Sequence, residues 1–273
     1  MSGGAASASP IRWRSDVECE IDGVSYASRP LANDLFESTA TTFCIAKPRW
    51  AIEAIEALLA RHHPATIFEV GMLTGGSTAL LAQLAAPRRL VSVDIKPHPI
   101  RGLADFIATR GLTEVVRPHY GVDQADSARL REVAAIEFGD GSLDLVIDDA
   151  SHYRAETTAT FNALFGLLRP GGYYLIEDWS WPHVQIDVWP DQSPLSLLVF
   201  ELIIACGHHP EMIAAVEIDR GWALVRRGDA PIDLPDGGEF ALRDLLGSRG
   251  AAIMDRIGEG NAEPQRRRFG RSR

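Results

Sequence analysis

The amino-acid sequence predicts an α/β protein, Rossmann-like, with a mostly parallel seven-stranded sheet closed by a C-terminal antiparallel hairpin. Three observations predict it. Between residues 66 and 178, short β-rich apolar runs alternate with amphipathic stretches, the pattern of parallel strands joined by crossover helices. Runs such as "ATIFEVG" and "LDLVID" are apolar on nearly every position, as strands covered by helices on both faces must be. Beyond residue 180 the alternation stops, and "EMIAAVEIDRGWALVRRG" reads as two strands about a turn at "DRG", an antiparallel hairpin at a sheet edge.

The elements follow in order. "MSGGAASASP" reads as a disordered start and "CEIDGVSYA" as a short hairpin or strand. "PRWAIEAIEALLARHH" has Trp50, Ile52, Ile55, Leu58 and Leu59 at helical spacing, with Pro48 near its start. The core then reads as strand 66–71, helix 77–86, strand 90–95, helix 101–110, strand 114–118, helix 125–135, strand 143–148, helix 155–168 and strand 173–178. "SPLSLLVFELIIACG" reads as a buried helix ahead of the hairpin, and a last helix is expected at about 239–247, before a loose tail. The organisation expected is a disordered start with a hairpin and helix cap over 1–62, a main domain over 63–230, and a C-terminal helix with a basic tail over 231–273.

A net charge of −10 argues against a nucleic-acid surface, which needs clustered cations. The one basic cluster, "RRRFGRSR", is terminal and isolated, and reads as a solvated tail. The opening lacks the cationic start and apolar stretch of a signal peptide, and no run approaches a membrane span, so a cytoplasmic protein with no membrane contact is expected. Cys19, Cys44 and Cys206 are odd in number and widely spaced, which predicts reduced thiols. Lysine occurs only at 47 and 96, read here as a compositional bias without functional meaning.

"FEVGMLTGGSTALL" is a strand, a glycine-rich turn and a helix start. Gly71, Gly75 and Gly76 let backbone approach a ligand, and the helix offers its positive N-terminal end there. No Lys follows the glycines, so this is not a phosphate-binding Walker loop, and the G-x-G-x-x-G spacing is absent. The next strand, "LVSVDI", ends in Asp94, placed to accept ribose hydroxyls, although an Asp there also serves as a helix cap. Glu69 sits inside the first strand, where an acid needs a buried partner.

Strand four ends in Asp148 and Asp149 and strand five in Glu177 and Asp178. In a parallel sheet of this order these ends share a rim, and four carboxylates there call for a hard divalent cation. Mg²⁺ is the expected ion; Mn²⁺ or Ca²⁺ satisfies the same ligands. His152 follows Asp149 within one turn, where an imidazole can take a proton from a metal-activated hydroxyl.

"VIDDASH" with "LRPGGYYLIEDW" resembles the metal-dependent sugar O-methyltransferases of macrolide biosynthesis, the mycinamicin and macrocin type, with cephalosporin-hydroxylase-like relatives. The likeness spans roughly residues 64–182. It implies the class I methyltransferase fold and S-adenosylmethionine as cofactor. Glu69, Gly71 and Gly75, with Thr74 and Ser77 in the same turn, would then be the first cofactor motif and Asp94 the second. Asp123, Gln124 and Asp148 would complete the cofactor site. Asp149, Glu177 and Asp178 would bind Mg²⁺, with Asp149 and His152 catalytic and His152 the general base. One departure is Ala150, where that family has glycine; another is the divergent stretch "WSWPHVQIDVWPD", whose Trp179, Trp181 and Trp189 either stack on an acceptor or pack the loop.

The expected function is methyl transfer to a hydroxyl of a natural-product sugar or similar small molecule. A catechol-like or other vicinal diol acceptor is an alternative, as are a nicotinamide-dependent oxidoreductase and a non-catalytic binding protein. The N-terminal hairpin and helix resemble elements that such enzymes use for subunit contact or as a lid, so a homo-oligomer is compatible with the sequence.

Overall fold

A computed structural model describes residues 9–29, 34–139, 141–184, 193–232 and 240–262. The disordered start and the basic tail expected from the sequence, and Trp189, lie outside them. The chain divides into two compact units, Met1–Ala150 and Ser151–Arg273. Among the described residues no helix is long and apolar enough to cross a membrane.

The first unit opens on a four-stranded sheet of β1 (Arg12–Trp13), β2 (Glu18–Ile21), β3 (Val24–Ser28) and β4 (Thr42–Ile45), in that order. β2 and β3 form the hairpin expected at "CEIDGVSYA", turning through Asp22 and Gly23 at positive φ; β1 and β4 had no clear signal because they are two and four residues long. Helix α1 (Arg49–His62) buries Ile52, Ile55, Leu58 and Leu59, the stripe seen in the sequence. Next come β5 (Thr66–Val70), α2 (Gly76–Ala85), β6 (Arg89–Asp94), α3 (Arg101–Thr109), β7 (Val116–Tyr120), α4 (Ser127–Phe138) and β8 (Leu143–Asp148).

The parallel strands run β8-β5-β6-β7. β5 lies between β6 and β8, so the strand order reverses there, and a crevice opens at the C-terminal ends of such strands. The register starts at Asp144, whose Oδ2 accepts from the Ala65 and Thr66 amides at 2.7 and 2.9 Å. The small sheet packs on helices α2 and α3, in part through aromatic rings. Phe43 stacks on Tyr26 and meets Phe106 edge-on at 5.5 Å. Two helix-start glycines allow this approach: a Cβ on Gly76 would lie 2.1 Å from Cys44 O, and one on Gly102 2.2 Å from Ser38 O.

β7 begins two residues later than the sequence predicts, because the Val115 and Val116 amides bond back to Leu112 O and keep that stretch in a turn.

The second unit contains α5 (Arg154–Leu164), β9 (Leu168–Glu177), α6 (Trp181–Val184), α7 (Ser196–His208), β10 (Ile213–Ile218), β11 (Trp222–Arg227) and α8 (Gly247–Ala262). Its strands run β10-β11-β9, antiparallel throughout. The α/β class and the C-terminal hairpin are as expected, with four parallel strands in the first unit and three strands in the second. Two boundaries differ. α5 stops at Leu164, a 3₁₀ turn covers Phe165–Leu167, and β9 starts five residues early. The last helix is not at 239–247: a 3₁₀ turn spans Leu242–Leu246, and the helix follows it. Gly247 separates them, with φ 61° and a Cβ position only 2.9 Å from the His208 ring, so only glycine fits.

α7 is apolar nearly all round, yet it buries one face and leaves Phe200 and Ile203 exposed. All three cysteines are free; Cys19 and Cys44 are buried, and burial pushes the Cys19 thiol up to about 11.

Candidate functional site

In the first unit the expected ligand turn is built backwards from Asp94. β6 delivers this carboxylate to the strand tip, where Oδ2 accepts the Met72 and Leu73 amides at 2.9 and 2.8 Å and Oδ1 accepts the Lys96 amide at 2.9 Å. A carboxylate has about four acceptor positions. Asp94 therefore folds the turn and keeps capacity for about one ligand hydroxyl. Leu73 is held at φ 52°, a conformation that costs a branched side chain energy and that these bonds sustain.

Gly71 needs glycine for two reasons. Its φ is +98°, and a Cβ would stand 2.2 Å from Asp149 O, while the Asp149 amide donates to Val70 O at 2.9 Å. The tips of β5 and β8 are thus in direct backbone contact. Gly75 caps α2 at φ 80°. Thr74 Oγ1 donates to Cys44 O at 2.6 Å, so this hydroxyl ties the turn to β4.

Glu69 is fully buried. Its Oε2 accepts from Thr78 Oγ1 and Ser92 Oγ, both at 2.6 Å, with Ser77 as a third hydroxyl donor. Desolvation raises its pKa above the ordinary carboxylate value, against the pull of these hydroxyls and of the Lys47 charge. The folded state then holds the proton more tightly than the unfolded chain, so Glu69 costs stability as pH rises from its usual value through the raised one. Glu69→Gln is expected to melt with the wild type at acid pH and above it near neutrality, in thermal scans across pH. Equal melting at both ends would remove this burial cost.

Asp148 is buried and accepts from Gln124 Nε2 at 3.4 Å; Asp123 is exposed and bonds the Ala125 amide in a local turn. Of this expected pair, Gln124 reaches toward the strand ends. Asp149 Oδ2 lies 2.5 Å from Lys47 Nζ, whose side chain is 6% exposed. Lys47 was passed over in the sequence. Its signal was there: both lysines of this arginine-rich chain serve the rim, as Lys96 Nζ donates to Leu73 O at 2.6 Å. Thr78 and Ser92 were also missed, though a polar residue inside "LVSVDI" opposite a buried acid was a legible hint.

In the second unit, β9 carries Glu177 to its buried end, and Asp178 follows at φ 56°, its amide donating to Gly221 O at 2.7 Å. His152 sits ahead of α5 at φ 59°, with Nε2 3.9 Å from Asp178 Oδ2. That is beyond hydrogen-bond reach but within range of a charged pair when the ring is protonated. The Trp181 ring lies 4.8 Å from the imidazole, and Trp179 Nε1 instead donates to Asp219 O at 2.8 Å. Of the three tryptophans in the divergent stretch, the two that are described divide accordingly, Trp181 beside His152 and Trp179 anchoring the hairpin turn. His183 pairs with Ser196 Oγ, and His63 caps α1.

Six non-glycine residues take positive φ among the described residues, and three of them, Leu73, His152 and Asp178, are expected site residues or their direct neighbours in the turn. Strain of this kind gathers where a site needs a fixed geometry.

Residues 68–179, which hold every residue expected to bind cofactor or metal or to act in catalysis, match the family model described as a methyltransferase domain. Two curated relatives resemble part of it. The 8-demethyl-8-alpha-L-rhamnosyl tetracenomycin-C 2'-O-methyltransferase of Streptomyces olivaceus is 39% identical over 93 residues. The demethylmacrocin O-methyltransferase of Streptomyces fradiae is 44% identical over 94 residues. In each case the match covers 33% of this chain and 23% of the relative, so the chain spans about a quarter of the curated relatives it matches. Among solved structures, the MycE methyltransferase of the mycinamycin biosynthetic pathway, in complex with Mg and SAH, covers 69% of this chain and 51% of its own at TM-score 0.50 and 22% identity. That likeness is one of fold.

Proposed function

We propose that this protein is an S-adenosylmethionine- and Mg²⁺-dependent O-methyltransferase acting on a hydroxyl of a natural-product sugar or a similar small molecule. The observation that carries the reading is the Asp94-folded turn of Gly71 to Gly75 at the strand-order reversal, within a methyltransferase domain. The curated relatives, named as O-methyltransferases of a rhamnosyl tetracenomycin and of demethylmacrocin, support the acceptor class.

Asp149, Glu177 and Asp178 are the proposed metal ligands. All are carboxylates, the hard oxygen donors that Mg²⁺ takes. A bound divalent cation lowers the pKa of a coordinated hydroxyl, and S-adenosylmethionine supplies an electrophilic methyl group. The chain's own residues do the rest. Asp94 keeps the turn shaped for the nucleoside, Gln124 and Asp148 line the strand ends, and His152 would take the acceptor proton as the hydroxyl oxygen displaces S-adenosylhomocysteine from the methyl carbon, breaking the methyl–sulfur bond. Methyl transfer is an in-line displacement, so alignment of donor and acceptor supplies most of the acceleration. Trp181, packed beside His152, is the proposed wall for a sugar face.

Titration with S-adenosylhomocysteine, with and without Mg²⁺, tests the reading by calorimetry. Saturable binding of both is expected; absence of nucleoside binding would overturn it. Asp94→Asn is expected to weaken that binding by tenfold or more, since it loses charge-assisted bonds to the turn as well as any bond to the ligand. An unchanged dissociation constant would move the ribose site elsewhere.

A further inference from the structure

Lys47 comes from outside the matched domain, and its placement is too well fixed to be a chance surface contact. Its carbonyl accepts from Ser28 Oγ at 2.6 Å, and β4 just before it is tied to the glycine turn by Thr74 and by the close approach of Gly76. Asp149 is equally fixed, through its amide bond to Val70 O and its backbone against Gly71. The buried ammonium therefore meets Asp149 Oδ2 at 2.5 Å with both partners held by the backbone.

We propose that Lys47 is a built-in competitor of the divalent cation: it neutralises Asp149 in the metal-free protein and sets how tightly the metal is held. The inference rests on Asp149 being a metal ligand. A buried carboxylate or ammonium left alone is costly, so the pair persists while no metal is present. A cation approaching Asp149 then meets a like charge that cannot swing freely into water, because the lysine side chain is buried. The metal binds against this repulsion, and binding is weaker and more reversible than three carboxylates alone would give. The connection between β4 and α1 thus supplies a charge that tunes the site, a role distinct from a lid or subunit contact. Lys47 acts through Asp149 and is a positioning residue.

The test is Mn²⁺ titration of the full chain by electron paramagnetic resonance of the free ion, which needs no turnover. Lys47→Met is expected to bind Mn²⁺ roughly tenfold or more tighter than the wild type, and Lys47→Arg about as the wild type does. Lys47→Gln, which keeps a donor for Asp149 without the charge, gives the same comparison if the Met variant does not fold. Equal or weaker binding by the uncharged variants, with the wild type binding, overturns the competitor role and leaves the metal site standing. Failure of wild type and uncharged variants alike to bind Mn²⁺ overturns both. Mn²⁺ binding by the uncharged variants alone supports the proposal in its strongest form.

Discussion

Gly71→Ala is expected to lower stability by roughly 2–5 kcal/mol and to abolish cofactor binding. Two costs add. A Cβ residue at φ +98° pays roughly 1–2 kcal/mol in backbone strain. The new methyl also stands 2.2 Å from Asp149 O, and forcing such a contact apart costs about 1–3 kcal/mol. A chain of this size should then melt roughly 5–15 °C lower. The displaced group is the backbone of the proposed metal ligand, so relief of the clash moves Asp149 away from Lys47. Thermal melting and S-adenosylhomocysteine calorimetry check both parts. A variant that melts with the wild type would mean that the β5 and β8 tips do not touch as described.

His152→Asn is expected to reduce turnover by roughly 10²–10⁴-fold with nucleoside affinity unchanged, the usual loss when a general base is removed. Asparagine is the suitable replacement because His152 lies at φ 59°, where asparagine is tolerated and alanine would add strain. Stopped-time assays on a glycosylated hydroxyl acceptor, paired with calorimetry, separate the effects. Turnover retained within a few fold would remove the base role. A loss of nucleoside affinity would place the imidazole in cofactor binding instead.

Much of the fold was legible because its signals are local. Strands buried on both faces must be apolar, so β5, β6 and β8 are continuous runs in the sequence, and "DRG" marks the β10 to β11 turn. The glycine turn was legible for the same reason. Boundaries set by distant partners were not. The last helix begins at Gly247, where the chain takes φ 61° beside the His208 ring, and no local pattern reports a neighbour some forty residues away. The short strands β1 and β4 carry too few residues to show a period.

The candidate site divides along the same line. By itself the sequence determined which residue types stand at the strand ends: Gly71, Asp94, Asp148, Asp149, Glu177 and Asp178, with Glu69 just inside β5 and His152 close behind, because strand-end positions follow from the alternation of elements. Only the tertiary structure decided what each carboxylate is already doing. Asp94 spends three acceptor positions on the turn, Glu69 is enclosed by hydroxyls, and Asp149 faces a lysine 102 positions earlier in the chain. The physical reason is that partnership depends on distance through space, whereas sequence pattern fixes only the order and facing of elements along the chain.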